Sequence, residues 1–251
     1  MEIIIEKGCG LDVHKGTVVA CIMGTGIKKE IRTYTTVTND LLRLKEWIQG
    51  VGITHVAMES TGVYWKPVFN ILEDNLEVIL VNARHVKNVP GRKTDVQESE
   101  WLCRVLRSGL VRGSFIPPRD IRELRDLTRH KRKLIQAITA EKQRVEKVLE
   151  DANIKLSSIA SDTFGASGKR IIEELIKGKL RAEEMAELSK GRLRQKREDL
   201  KEALVGEVRE HHKFMIKASL KHIRAMEKIL LDIERKIQAK MEGQNQLGTF
   251  V

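Results

Sequence analysis

The sequence contains no apolar run near the roughly 20 residues that a transmembrane helix needs, so no membrane span is predicted. Its N-terminus shows neither the basic stretch nor the small-residue cleavage site of a signal peptide, and we therefore expect a cytoplasmic protein. Cysteine is scarce: Cys9, Cys21 and Cys103 are odd in number and lack the spacing of zinc ligands. This argues against a disulfide framework and predicts reduced thiols in the core.

Proline and aromatic residues are also scarce, and they are concentrated early in the chain. All four prolines lie at or before Pro118, and every tryptophan and tyrosine lies before residue 102, so long helices are allowed afterwards. Residues 1–118 carry 15 basic and 13 acidic side chains, a net of +2, whereas residues 119–251 carry 31 and 22, a net of +9. We predict a mixed α/β domain over 1–118 and a basic helical domain over 119–251. The basic charge favours a nucleic-acid partner.

The first domain alternates short apolar runs with helical patterns. Five strands are predicted over residues 2–12, 16–24, 27–37, 53–58 and 76–81. One helix should begin at a cap on Asn39 or Asp40, and a second should cover 63–74. This order is typical of an α/β sheet that opens with antiparallel strands and continues with parallel ones.

Two acids follow predicted strands directly. Asp12 ends the first strand and Glu59 ends the fourth, and ligands gather at the carboxyl ends of strands in open α/β sheets. Taken alone, Asp12 is better explained as a turn residue of a hairpin. Asp95 and Glu98 share one face at the start of a predicted helix, where acids also complement the helix dipole. Together the four carboxylates predict a site for Mg²⁺ or Mn²⁺.

Five blocks of sequence resemble the DEDD transposases founded on insertion sequence 110. They are GLDVHK (10–15), AMESTGVYW (57–65), VNARHVK (81–87), PGRKTD (90–95) and GLVRGSFIPP (109–118). The resemblance implies an RNase H-like domain, similar to the RuvC Holliday-junction nuclease. It also implies recombination of DNA under the direction of a structured bridge RNA.

The resemblance identifies the catalytic, metal-binding acids as Asp12, Glu59, Asp95 and Glu98. The family normally has aspartate at the fourth position, and the longer glutamate displaces its oxygens, which matters because shifts of ~1 Å can cost much activity. Glu100 is close in sequence but lies off the face of Asp95. Family members continue into a domain that supplies a serine nucleophile. Since this chain ends at Val251, we expect a truncated product without that serine.

The second domain is expected to form a coiled coil of long helices. Residues 119–152 place apolar side chains at heptad spacing, interrupted by Lys131 and Glu141. A long or broken helix is expected over 192–241, packed antiparallel against 119–152 or against another chain. Its predicted apolar stripe is Met215, Ala218, His222, Ala225, Ile229, Ile233 and Ile237. His211 and His212 have no carboxylate partner at ligand spacing and are predicted to be surface or seam residues.

The leading interpretation is a transposase that binds DNA and a guide RNA, self-associates through the coiled coil, and acts on DNA phosphodiesters with a magnesium-dependent acidic site. One alternative is a RuvC-like nuclease that cuts junctions without rejoining them. Another is a non-catalytic, nucleic-acid-binding remnant of a transposase. An actin-like ATPase or sugar kinase also begins with a Gly-x-Asp hairpin, but the turn at 13–15 is not rich in glycine and threonine.

Overall fold

The structure is a computed structural model that describes residues 4–59, 62–82 and 95–247, without the side chains of 95–97 and 244–247. The chain divides into two compact units, Met1–Pro117 and Pro118–Val251, against predicted ranges of 1–118 and 119–251. Within the described residues, no helix has both the length and the apolar character needed to cross a membrane.

The first unit is built on a five-stranded sheet. Its strands are β1 (Lys7–Val13), β2 (Thr17–Gly24), β3 (Ile27–Thr35), β4 (His55–Glu59) and β5 (Glu77–Val81). They are ordered β3-β2-β1-β4-β5. Strand β2 is antiparallel to both of its neighbours, β1 and β3, whereas β4 and β5 are parallel to β1. This is the RNase H-like arrangement, which confirms the predicted fold class. The first strand begins five residues later than predicted.

Helices cover both faces of this sheet. Helices α1 (Thr38–Gly50) and α2 (Trp65–Leu72) pack on the face formed by Cys9, Leu11 and Val13 of β1. Helix α3 (Asp95–Arg107) packs on the other face, against Ala57 and Val81. Side chains alternate between the faces of a strand, so Gly8, Gly10 and Asp12 belong to the α3 side.

The predicted cap of α1 was wrong. The residue that precedes the helix is Val37, which makes no side-chain cap. Asp40 instead accepts hydrogen bonds from the backbone N–H and the hydroxyl of Thr35, at 2.8 and 2.6 Å. These bonds lower the pKa of Asp40 and fix the turn between β3 and α1.

Helix α3 lies very close to β1. A Cβ atom on Gly10 would be 2.5 Å from the backbone nitrogen of Cys103 and 3.0 Å from Leu102 Cβ. The same atom on Gly8 would instead meet the side chains of Leu106 and Arg107. Since the contacts move along α3 as β1 runs backward, the two elements are antiparallel. The N-terminal end of α3 therefore points to the C-terminal end of β1.

The three cysteines are buried and unpaired by disulfides, as predicted. Burial raises the pKa of the Cys9 thiol. Cys103 Sγ lies 3.1 Å from the carbonyl oxygen of Gly8, to which it donates a hydrogen bond. This bond adds a polar tie between α3 and β1 beside the glycine contact.

The second unit consists of helices. Two long helices, α4 (Arg119–Asp151) and α9 (Glu210–Leu247), enclose a series of short elements. These are α5 (Leu156–Ile159), α6 (Ala166–Lys177), α7 (Ala182–Glu187), a 3₁₀ turn (Gly191–Lys196) and α8 (Arg197–Ala203). The helix predicted over 192–241 is thus broken. The core of the unit lies between the closed end of the long helices and the short elements.

The long helices α4 and α9 run antiparallel, as predicted. Lys131 Nζ lies 2.8 Å from Glu234 Oε1, and Lys240 pairs with Glu123 farther along. At the other end, His212 bonds to Asp151. The pairing therefore keeps one register over the length of α4.

The predicted stripe of α9 was only partly right. Met215 and Ile229 are about half exposed, whereas Ile233 of the predicted stripe is buried. The other buried apolar side chains lie outside that stripe and are Ile216, Leu220, Ile223 and Met226. On α4, Ile138 and Val145 are buried at positions of the predicted heptad pattern, and Glu141, which interrupts that pattern, is buried with them.

Candidate acidic site

Asp12 lies near the carboxyl end of β1 and is 5% exposed. The His14 ring nitrogen Nε2 is 3.1 Å from Asp12 Oδ2, so the imidazole can donate a hydrogen bond to the carboxylate. Removing a charge from water is costly unless it is paired or coordinates a metal. His14, predicted to be a turn residue, occupies the turn and also supplies part of that compensation.

Glu59 is the last residue of β4, the parallel neighbour of β1. The last register pair of the two strands is Leu11 with Met58, so Asp12 and Glu59 follow one residue later on each strand. Ala57 faces α3, and the two-residue period places Glu59 on the same face. The structure therefore brings Asp12 and Glu59 to the same edge and face of the sheet.

Helix α3 begins at this edge. Gly10 of β1 lies against Ser99 and Cys103 of α3. Followed toward its N-terminus, the helix runs toward the C-terminal end of β1. Two strand residues span about 6.7 Å, which equals four to five helical residues, so the first turn of α3 comes level with Asp12. Glu98, half-buried, belongs to that turn.

Several predicted features lie outside the described residues. The side chain of Asp95 is one of them, although its backbone opens α3. Residues 60–61 and 83–94, which include parts of three of the family-like sequence blocks, are others. The metal site as a whole accordingly stays a prediction, of which the described residues supply Asp12, Glu59 and Glu98.

Glu100 does not join the acidic edge. Its carboxylate pairs with Lys29 at 3.1 Å and with Arg104 at 2.5 Å. The hydrogen bond from Lys29 is the main cause that lowers the pKa of Glu100. This carboxylate is thus engaged in surface ion pairs, in line with its predicted position off the Asp95 face.

Sequence reasoning missed a second cluster, formed by Asp151, His211 and His212. His212 is 1% exposed and its Nε2 lies 2.7 Å from Asp151 Oδ2, which corrects the prediction that the histidines have no carboxylate partner. His212 Nδ1 accepts the backbone N–H of Arg209 at 3.1 Å. A neutral imidazole has one acceptor nitrogen, so Nε2 carries the proton and donates to Asp151.

These bonds give the histidine cluster a structural role. His212 caps the start of α9 and links it to the end of α4, while its hydrogen bond is the main cause that lowers the pKa of Asp151. The ligand atoms of the cluster lie within 4.8 Å of one another, but both nitrogens of His212 are already used. The two partners are 61 residues apart, so no local sequence signal could reveal the bond.

The acidic edge fits a hard divalent cation better than the histidine cluster does. Its donors are carboxylate oxygens, the ligands that Mg²⁺ and Mn²⁺ prefer. Asp12 is nearly buried, and a bound cation would stabilise its charge, as the hydrogen bond from His14 does. The donor set and the burial are therefore compatible with the predicted metal.

Comparison with protein families gives a match over residues 9–154, to the family described as a transposase of the DEDD type of insertion sequence 110. The matched region contains all four predicted acids and extends through α4. A comparison with curated proteins finds no significant match.

Comparison with solved structures returns RuvC of Thermus thermophilus. One structure, of RuvC in complex with a Holliday junction substrate, has 10% identity and a TM-score of 0.31. A second RuvC structure has 11% identity and a TM-score of 0.32. Each alignment covers 43% of this chain and 99% of the RuvC chain.

Proposed function

Because the chain belongs to the insertion sequence 110 family of DEDD transposases, we propose that it acts on DNA phosphodiesters at the acidic edge of its sheet, with Mg²⁺ or Mn²⁺ as cofactor. Asp12, Glu59, Asp95 and Glu98 are the proposed catalytic and metal-binding residues. The observation that carries this proposal is the position of Asp12 and Glu59, one residue beyond the last register pair of two parallel strands.

The proposed residues have separate tasks. The carboxylates of Asp12 and Glu59, on the sheet, would hold the cation. Glu98 and residue 95, on α3, would approach the same cation from the helix. His14 holds the Asp12 carboxylate through the 3.1 Å hydrogen bond. A divalent cation bound there would stabilise the charge that develops on a phosphodiester during its cleavage.

The second unit is proposed to bind nucleic acid, including a structured guide RNA. The support is its charge: residues 119–251 have 31 basic and 22 acidic side chains. Each lysine or arginine that neutralises a phosphate releases counterions, so binding should weaken steeply as salt rises. The partner DNA of the reaction would be held by the same kind of contact.

Self-association through the long helices is also proposed. Ile135, Met215 and Ile229 are 43%, 48% and 47% exposed, although each is apolar. The register of α4 and α9 brings Ile135 and Ile229 to the same level along the helix pair. A second copy of the chain would bury these side chains, and the mass in solution should then rise with concentration.

The proposal is tested by metal-dependent cleavage of labelled DNA, as linear duplex and as four-way junction. Asp12→Ala and Glu59→Ala should abolish cleavage in Mg²⁺ because each removes a cation ligand. Glu77→Ala is the matched control, since Glu77 begins β5 at the opposite end of the sheet and pairs with His55. It should retain the activity of the wild type.

The outcomes separate the alternatives. Equal activity in the wild type, Asp12→Ala and Glu59→Ala would refute the acidic site. Cleavage of junctions without any joined product would favour the junction-nuclease alternative. Binding of RNA and DNA with no cleavage in either metal would favour a non-catalytic role.

A further inference from the structure

The second unit contains an open cleft of about 560 Å³ that the acidic site does not involve. Two stretches of chain form it, residues 159–168 and 190–196. Both lie among the short elements enclosed by the long helices. The cleft is therefore a separate feature, far along the sequence from the proposed catalytic residues.

The cleft is lined by three cations and one acid. Lys190, Arg192 and Lys196 belong to the lining and all three are exposed. Within the described chain, no carboxylate pairs with any of them. The lone acid, Asp162, accepts a hydrogen bond from the Phe164 backbone N–H at 2.9 Å. The lining thus keeps a net positive charge available for an anionic ligand.

The rest of the lining combines small residues with apolar side chains. Ser161, Gly165, Ala166 and Ser167 line the cleft beside Ile159 and Leu193. Ser167 Oγ accepts the N–H of Lys190 at 2.9 Å, which ties the two stretches together. Its hydroxyl hydrogen can still be donated to a ligand. This hydroxyl and the three cations are groups that hydrogen-bond to a phosphate.

The shape of the cleft is fixed by close packing. A Cβ atom on Gly168 would lie 2.7 Å from the Thr163 carbonyl carbon and 3.2 Å from its Cα. Thr163 is itself buried. Because a rigid site loses less conformational entropy on binding, the cations would meet a ligand with little reordering of the backbone.

We propose that this cleft binds the phosphodiester backbone of a nucleic acid through Lys190, Arg192 and Lys196. The proposal rests on the nucleic-acid role of the second unit and names the surface that carries it. The chemistry is shared by RNA and DNA, so the test uses both. The probes are a labelled hairpin RNA and a labelled four-way DNA junction.

The variant is the triple substitution Lys190→Ala, Arg192→Ala, Lys196→Ala in the full chain. Three lost phosphate contacts should reduce the slope of log affinity against log salt by about 2–3 and weaken binding about tenfold or more at physiological salt. The control is Lys217→Ala, Lys221→Ala, Lys228→Ala, which removes the same charge from exposed positions of α9. It should lose no more than about threefold.

The charge-preserving variant Lys190→Arg, Arg192→Lys, Lys196→Arg checks folding and should bind close to the wild type. A larger loss of affinity for RNA than for DNA in the alanine triple would identify RNA as the ligand, and the reverse would identify DNA. Equal losses in the two alanine triples refute the cleft and leave the acidic site untouched. A wild-type chain that binds neither probe refutes both the cleft and the proposed nucleic-acid role.

Discussion

Gly10→Ala should test how α3 and β1 form the acidic edge. The added Cβ atom would lie 2.5 Å from the Cys103 nitrogen and closer still to the Ser99 carbonyl oxygen. Ordinary contact begins at 3.4 Å, so α3 must recede by at least about 0.9 Å. Overpacking of this kind costs about 1–3 kcal/mol. For a unit of this size, the melting temperature should fall by about 5–15 °C.

The same displacement should reduce catalysis by more than the loss of stability explains. Since Glu98 and residue 95 move with α3 while Asp12 and Glu59 stay with the sheet, the acids would separate. A shift of ~1 Å costs about a hundredfold in well-studied sites. Cleavage should therefore be measured well below the melting temperature of the variant, where the chain is folded.

Gly16→Ala and Gly8→Ala are control variants in which the expected loss of stability is smaller than in Gly10→Ala. Nothing lies within 4 Å of a Cβ on Gly16, so this change should stay within about 0.5 kcal/mol. On Gly8 the added atom meets only side chains, at 3.1 and 3.2 Å, and the cost should be intermediate. Equal melting temperatures for all three variants would refute the close approach of α3.

The remaining predictions concern the second unit. His212→Ala should lower the free energy of unfolding of this unit by about 2–3 kcal/mol, because a buried ring and a helix cap are lost. The control His211→Ala, at an exposed position, should cost under about 0.5 kcal/mol. Urea titrations measure both, and equal costs would contradict the cap. Folding lowers the pKa of Asp151 through His212 and that of Glu141 through Ser219. The stability from these carboxylates is complete above their unfolded pKa near 4 and is lost as pH falls through the lowered folded values. Thermal melts at falling pH check this; a rise of the melting temperature on acidification would show the sign to be wrong, and Glu141→Gln should flatten the dependence.

The order of strands and helices in the first unit could be predicted because each element carries its own periodic signal. The two acids could be placed at one edge because strand direction follows from the order of elements. The cap of α1 could not be predicted, since Asp40 serves the preceding strand residue Thr35 rather than the helix start. A local motif does not show which of two nearby backbone groups a side chain will bond.

The second unit was harder to predict because α9 offers two overlapping stripes. Met215, His222 and Ile229 have helical spacing, and so do Ile216, Ile223 and Leu230 one position later. Only the register set by α4 decides which stripe is buried. The bond between His212 and Asp151 depends on the same register, and it joins residues that are distant in sequence.

Because α4 and α9 are antiparallel and keep one register, both helices can be lengthened together without changing the pairing at their ends. The 33 residues of α4 span about 50 Å, and the chain returns beside its starting point, where Lys240 pairs with Glu123. Seven residues added to both helices would extend the unit by about 10.5 Å and leave that pair together. Paired insertions in the two helices would thus change the length of the unit and keep its register.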